Sequence, residues 1–260
     1  MFIHNLDPVL LNFGILSIRW YSLAYIFGIL IGWWYGKKII FKKFETEKAE
    51  SETKIFDELI TYIIISIIIG GRAGYVLFYN PSYYLENLFE IFQIWKGGMS
   101  FHGAMVGVII GTYIFSSRRN VETFFLLDII ACVSPIGIFF GRIANFINGE
   151  LIGKATNVYW GVIFPKFDNV VRHPSQLYEA FLEGIVLFFI LNFIFFKKNY
   201  KVGNCAIMFL ICYGVFRIFS EFFRQPDAQI GYLFGFLSMG MLLSVFMIFF
   251  GTIIYFKKNA

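Results

Sequence analysis

The run Gly141-Arg142-Ile143-Ala144-Asn145-Phe146-Ile147-Asn148-Gly149-Glu150 sets a guanidinium, two carboxamides and a carboxylate at the end of an otherwise apolar stretch, with Gly153 just beyond. A second guanidinium ends a later apolar stretch, in Glu221-Phe222-Phe223-Arg224-Gln225-Pro226-Asp227. Two planar forks of N–H donors flanked by Asn and Gln suit a phosphate diester, because each fork can grip two oxygens at once. The competing reading is that both arginines only extend their heads to the polar edge of a membrane. His102 adds a side chain that titrates near neutral pH. It sits in Gly97-Gly98-Met99-Ser100-Phe101-His102-Gly103-Ala104, where small neighbours leave room for a ligand. A lone His at such a place is otherwise a structural hydrogen-bonding residue. Tyr21, in Arg19-Trp20-Tyr21, reads on its own as an aromatic residue of a membrane–water interface.

The elements that must position these residues are membrane helices. Hydrophobic residues make up 58% of the chain, charged residues 15% and aromatic residues 21%, which is too apolar for one soluble core. Nearly uncharged runs of spanning length cover 20–36, 59–79, 99–117, 123–141, 177–196, 202–223 and 230–256. They lack the two-residue alternation of barrel strands. The expected fold is therefore an all-α polytopic membrane protein of about seven transmembrane helices. No linker or repeat divides residues 1–260, so a single integral-membrane domain is expected, with residues 142–176 forming a small outer head between spans four and five.

Basic residues set the orientation. Lys37, Lys38, Lys42, Lys43, Lys48 and Lys54 lie in one loop, Arg118 and Arg119 in another, Lys197, Lys198 and Lys201 in a third, and Lys257 and Lys258 at the C-terminus. The opposite side holds the sparser set of Arg19, Lys96, Arg142, Lys154, Lys166, Arg172 and Arg224. The N-terminus is expected outside and the C-terminus in the cytoplasm, which turns the Arg142 cluster outward. The net charge of +5 then reflects topology and attraction to membrane lipid rather than a nucleic-acid surface. The first spanning run is too long and too late for a cleaved signal peptide and is expected to remain as an anchor. Cys132, Cys205 and Cys212 fall within spans and act as small apolar residues.

Charges also lie inside the spans: Arg72, Asp128, Glu179, Glu183, Arg217 and Glu221. An unpaired charge at bilayer depth costs about 3 kcal/mol, so these residues should face the bundle interior and find partners. For Asp128, Glu183 and Arg217, structural and functional roles stand level, and the carboxylate that pairs with Arg72 is open. Outside the spans, Asn80-Pro81 breaks a helix, and Tyr84, Leu85, Leu88, Ile91 and Phe92 form an amphipathic run suited to lying flat at the interface.

Taken together, these motifs resemble the bacterial prolipoprotein diacylglyceryl transferases. The resemblance is carried by the 141–150 run with Gly153, by Arg19-Trp20-Tyr21, Gly70-Gly71-Arg72 and Gly98-Met99-Ser100-Phe101-His102-Gly103. Arg172-His173-Pro174-Ser175-Gln176-Leu177-Tyr178-Glu179 and Glu221 to Asp227 complete it in the same order. Ala104 stands where the family often has Gly, and the connection from Gly153 to Arg172 is short for the family. The resemblance implies an enzyme of the bacterial inner membrane that moves the diacylglyceryl group of phosphatidylglycerol onto the lipobox cysteine of a prolipoprotein, forming a thioether and releasing glycerol phosphate. It implies His102 as the catalytic residue with Tyr21 close to it, and Arg142, Arg224, Asn145, Asn148, Glu150 and Gly153 as the phosphatidylglycerol site. No metal or other cofactor is expected, since there is no His-Glu-x-x-His motif and both substrates carry their own reactive groups. The rival from another class is a secondary transporter of an anionic solute. Unequal halves, and a polar cluster at one face rather than the midplane, count against it.

Overall fold

The computed structural model describes residues 2–14, 17–227 and 230–259. Its body is helical: α1 Trp20–Lys43, α2 Thr46–Phe78, α3 Pro81–Glu86, α4 Phe101–Arg119, α5 Thr123–Asn148, α6 Ser175–Glu179, α7 Leu187–Phe195, α8 Asn204–Glu221 and α9 Met239–Asn259. A π-helical turn, Ala180–Val186, joins α6 to α7 as one rod. Five rods are long and apolar enough to cross a membrane: Thr46–Phe78, Thr123–Asn148, Ser175–Phe195, Asn204–Glu221 and Met239–Lys258. The helices α1 and α4 are also long, but Gly, Trp, Tyr and Ser dilute their apolar character.

Several boundaries differ from the sequence reading. Helix α5 continues past 141 to Asn148, where Gly149 closes it in the left-handed conformation (φ 68°) and donates its N–H back to Asn145 and Phe146. The first residues of the 142–176 segment, 142–148, are therefore helical and belong to α5. Helix α9 starts at Met239 rather than 230, because Gly231 and Gly235 take positive φ in a turn bridged by Leu233 and Leu237. The head also departs from an all-α description. Strand β1 (Phe2–Ile3) pairs in parallel with β4 (Val162–Ile163), which pairs antiparallel with β5 (Val171–Arg172). Strands β2 (Val9–Asn12) and β3 (Ser17–Arg19) form a hairpin ahead of α1. Buried Ile152, Val162 and Phe164 pack on Phe146 as a small separate core, and His4 bonds through Nε2 to the Phe146 carbonyl at 2.6 Å.

Three constraints organise the body. Helices α2 and α4 run close together because glycines face each other: a Cβ on Gly103 would lie 2.4 Å from the Gly70 carbonyl, and one on Gly107 would lie 2.4 Å from the Ser66 carbonyl. Gly103, one of the small residues beside His102, thus serves helix packing, whereas a Cβ on Gly97 meets nothing within 4 Å. Arg72, whose partner was sought among carboxylates, instead donates to the backbone carbonyls of Glu90, Ile91, Gln93, Gly97 and Gly98 at 2.5–3.5 Å. It spreads its charge over carbonyl dipoles and over the Tyr84 ring, 5.0 Å away, and so fixes the 87–98 segment to the end of α2. Asp128 meets the start of α8: it accepts from Gly203 N–H at 2.5 Å, Ala206 N–H at 2.7 Å and the Tyr200 hydroxyl. A carboxylate against unpaired N–H groups and the positive end of the helix serves as a structural cap.

Replacing Gly103 by Val should destabilise the protein by roughly 1–3 kcal/mol through overpacking at the α2–α4 seam. A Cβ on Gly137 meets nothing within 4 Å, so Gly137→Ala should be neutral or slightly stabilising. Thermal unfolding in detergent compares the two, and equal stability would show that the seam tolerates side chains.

Candidate active site

The site is assembled where α5, the α6–α7 rod and α8 meet. Arg142 projects from the last turns of α5 towards two fully buried carboxylates: Nη1 lies 2.8 Å from Glu179 Oε2, while Nη2 and Nε lie 2.9 and 3.3 Å from Glu183 Oε2. From α8, Arg217 Nη1 approaches Glu179 Oε1 at 2.8 Å and Glu183 Oε1 at 3.7 Å, and its Nη2 pairs with Glu221. Arg224 Nη1 stands 3.8 Å from both Glu179 Oε1 and Glu221 Oε1, and its Nη2 lies 3.0 Å from Asp227. Ser238 donates to Glu221 Oε2 at 2.9 Å.

Three guanidiniums and three carboxylates thus alternate in the interior. Each charge is costly to bury alone, and each is offset by at least one opposite neighbour. The π-helical turn that follows Glu179 and contains Glu183 is a known device at functional positions, and here both carboxylates face α5 and α8. The pairing is not saturated. Both Glu179 oxygens, Glu183 Oε1, Arg217 Nη1, Tyr213 Oη and Ser220 Oγ are buried without an aligned hydrogen bond, although Glu179 has guanidiniums at 2.8 Å. Close but off-line contacts of this kind hold charges in place, with the Tyr213 and Ser220 hydroxyls as unused donors beside them.

Beside Arg142 the end of α5 folds back on itself. Glu150 donates its N–H to the Asn145 carbonyl at 3.0 Å and accepts from the side chains of Asn145 (3.4 Å) and Asn148 (3.2 Å). Gln176 fastens the Glu150 carbonyl to α6 at 2.5 Å. The next residues form a bridge from Gly153 to Arg224, in which Lys154 N–H donates to the Phe223 carbonyl at 2.8 Å and Gln225 N–H to the Ile152 carbonyl at 3.1 Å. Gly153 passes so near His173 that a Cβ would lie 2.1 Å from its carbonyl oxygen. Its carbonyl accepts from Arg172, which also grips Asp168 and Gln225. Gly153 acts here as a point of close backbone approach that ties the head to Arg224.

His102 enters from the first turn of α4, where Ser100 accepts from Gly103 N–H at 3.2 Å as the N-cap. The ring is buried, with Nε2 3.4 Å from Ser244 Oγ on α9, and Arg217 and Arg142 are the charges that bear on it. Tyr21 does not bond to His102. Its hydroxyl lies 3.3 Å from that of Tyr25, which is within electrostatic reach of Arg142 and Glu150. The fold thus brings together Arg142, Arg224, Asn145, Asn148 and Glu150, with His102 in the field of the cluster and Tyr21 at its edge. Three site residues were not singled out from sequence: Tyr213, Ser220 and Tyr25. Arg217, whose spacing in sequence suits a structural and a functional role alike, is the centre of the cluster. The signal was available as the spacing 213, 217, 221 along one face of α8, with Arg224 in the turn just beyond it. Phe101 stacks on Tyr213, ring centroids 4.4 Å apart, and joins α4 to that face.

A family model described as Prolipoprotein diacylglyceryl transferase matches residues 8–257. Proteins from Rickettsia bellii (strain OSU 85-389) and Ehrlichia canis (strain Jake), each named Phosphatidylglycerol--prolipoprotein diacylglyceryl transferase, are 51% identical to the chain. Each alignment covers 98% of the chain and 96% of the relative. A Rickettsia typhi (strain ATCC VR-144 / Wilmington) protein of the same name is 48% identical over the full length of both chains. With the match running through the head, the arginine cluster and His102 alike, the chain belongs to the prolipoprotein diacylglyceryl transferase family.

Proposed function

We propose that this chain is a transferase that moves the diacylglyceryl group of phosphatidylglycerol onto a prolipoprotein, the first step of lipoprotein maturation. The observation that carries the reading is the convergence of the family's motif residues on one buried arginine–carboxylate cluster beside His102. The acceptor is the lipobox cysteine thiol, and the chemistry takes place towards the outer face of the bacterial inner membrane. In this topology the five apolar rods are joined by α1 and α4 as spans, with the N-terminus outside and the C-terminus in the cytoplasm.

The reaction makes a C–S bond and breaks a C–O bond. A thiol of pKa near 8.5 is mostly protonated at neutral pH, so a base must take its proton. His102 accepts it as the sulfur attacks the glyceryl carbon. The electron pair of the broken bond leaves on the phosphate oxygen, and the proton follows it onto glycerol phosphate. Negative charge therefore builds on the phosphate. Arg142 spends three N–H contacts on Glu179 and Glu183, which leaves two of the five a guanidinium carries. With Arg224, those donors face the departing oxygens, already oriented by the carboxylates, so little reorganisation is needed. Asn145, Asn148 and Glu150 orient the glycerol headgroup, Gly153 holds the backbone close to Arg224, and Tyr21 with Tyr25 borders the lipid.

Three outcomes test this reading. His102→Ala should lower transfer from phosphatidylglycerol to a lipobox peptide by roughly 10²- to 10⁴-fold while the unfolding curve stays near wild type; near-normal turnover would leave His102 a structural residue. Arg142→Lys and Arg224→Lys keep the charge but lose the fork, and transfer should fall by about 10²-fold or more, with Arg142 the more sensitive. Wild-type rates in both would remove the clamp from the mechanism. A reporter fused after Ala260 should stay cytoplasmic, while a tag near Asn157 should be labelled from outside; a protected tag would reverse the topology.

A further inference from the structure

At the other end of the α6–α7 rod from Glu179, the last turns of α1 and α7 enclose a groove of about 400 Å³. Its floor is a hydrogen bond from the Tyr35 hydroxyl to Asn192 Oδ1 at 2.9 Å. One wall is aromatic and outward-facing, with Phe189 66% and Phe193 67% exposed. Two ammonium groups stand at the mouth: Lys42 lies 4.6 Å over the Phe196 ring and Lys197 4.8 Å over the Phe193 ring. Among the described residues neither is paired with a carboxylate, whereas the neighbouring Lys43 is spent on the Phe195 carbonyl at 2.8 Å.

We infer that this groove is a binding site for an anionic glycerophospholipid of the cytoplasmic leaflet, separate from the substrate site. The leaflet rests on the topology proposed above. One acyl chain lies along Phe189 and Phe193, and the phosphate sits between Lys42 and Lys197. Charge selects the occupant. Two whole positive charges at the mouth outweigh the two helix C-termini there, each worth about half a negative charge. A zwitterionic lipid would bring its own cation against the lysines, and free phosphate would leave the aromatic wall unused. The lipid would fill the gap between α1 and α7, which the Tyr35–Asn192 and Lys43–Phe195 bonds cross only at points.

The test uses the full chain in nanodiscs containing a phosphatidylglycerol analogue or a phosphatidylcholine analogue, each with a photoreactive acyl chain, followed by peptide mapping. The phosphatidylglycerol probe should label the 187–196 peptide in preference to the phosphatidylcholine probe. The preference should fall by about fivefold for each lysine removed in Lys42→Gln and Lys197→Gln. The double Lys→Arg variant should keep it, which separates charge from folding or insertion. Neither lysine touches the arginine cluster, so transfer by the double Gln variant should match wild type. Loss of transfer in wild type would bear on the proposed function and not on this groove. Equal labelling by the two probes, or a double Gln variant that labels like wild type, would overturn the site.

Discussion

The structure depends on keeping three guanidiniums and three carboxylates together in its interior. Arg142, Glu179, Glu183, Arg217 and Glu221 come from three separate rods and Arg224 from the turn after the third, and no two of these rods could hold the set in balance. Their mutual attraction offsets a desolvation cost of several kcal/mol per ion, and taking away one partner would strand a charge at a cost of roughly 3–5 kcal/mol. The same pairing fixes the planes of the arginines before any ligand arrives. On the proposed mechanism, stability and chemistry draw on one set of atoms.

The helix seam between α2 and α4 is the second constraint. It is apolar and specified by the absence of side chains, since Gly70 and Gly103 each stand where a methyl group would meet the other's backbone. In a bilayer, where apolar side chains gain nothing by leaving lipid, this close van der Waals approach is a principal source of helix association. It sets the start of α4, and with it His102, relative to the arginines.

Much of this was legible in the sequence because the membrane restricts the choices: long apolar runs must be helices, and charges within them must face inward. The i, i+4 spacing of Glu179 with Glu183, and of Arg217 with Glu221, showed which residues share a face. Spacing within one helix says nothing of neighbours on another, so the pairing of Arg142 with Glu183 and the central place of Arg217 came only with packing. Arg72 was sought among carboxylates because a charge–charge pair is the expected partner, yet backbone carbonyls from an irregular segment do the same work. Strands of two residues, such as β1 and β4, carry no periodicity to read. Gly103 looked like room for a ligand because sequence does not distinguish an empty site from one filled by a neighbouring backbone.

Arg72 fastens the 87–98 segment, whose Phe89 and Trp95 are 87% and 77% exposed, to α2. The Ser100 N–H, two residues before His102, bonds to the Gly71 carbonyl at 2.8 Å. The apolar surface of that segment and the turn that carries the imidazole are therefore both fastened to the same end of α2. In the proposed topology those rings would lie at the outer lipid headgroups, and the level at which the segment floats would then bear on the height of His102 above the bilayer midplane. A thicker or thinner membrane would on that topology reach the imidazole as a vertical displacement.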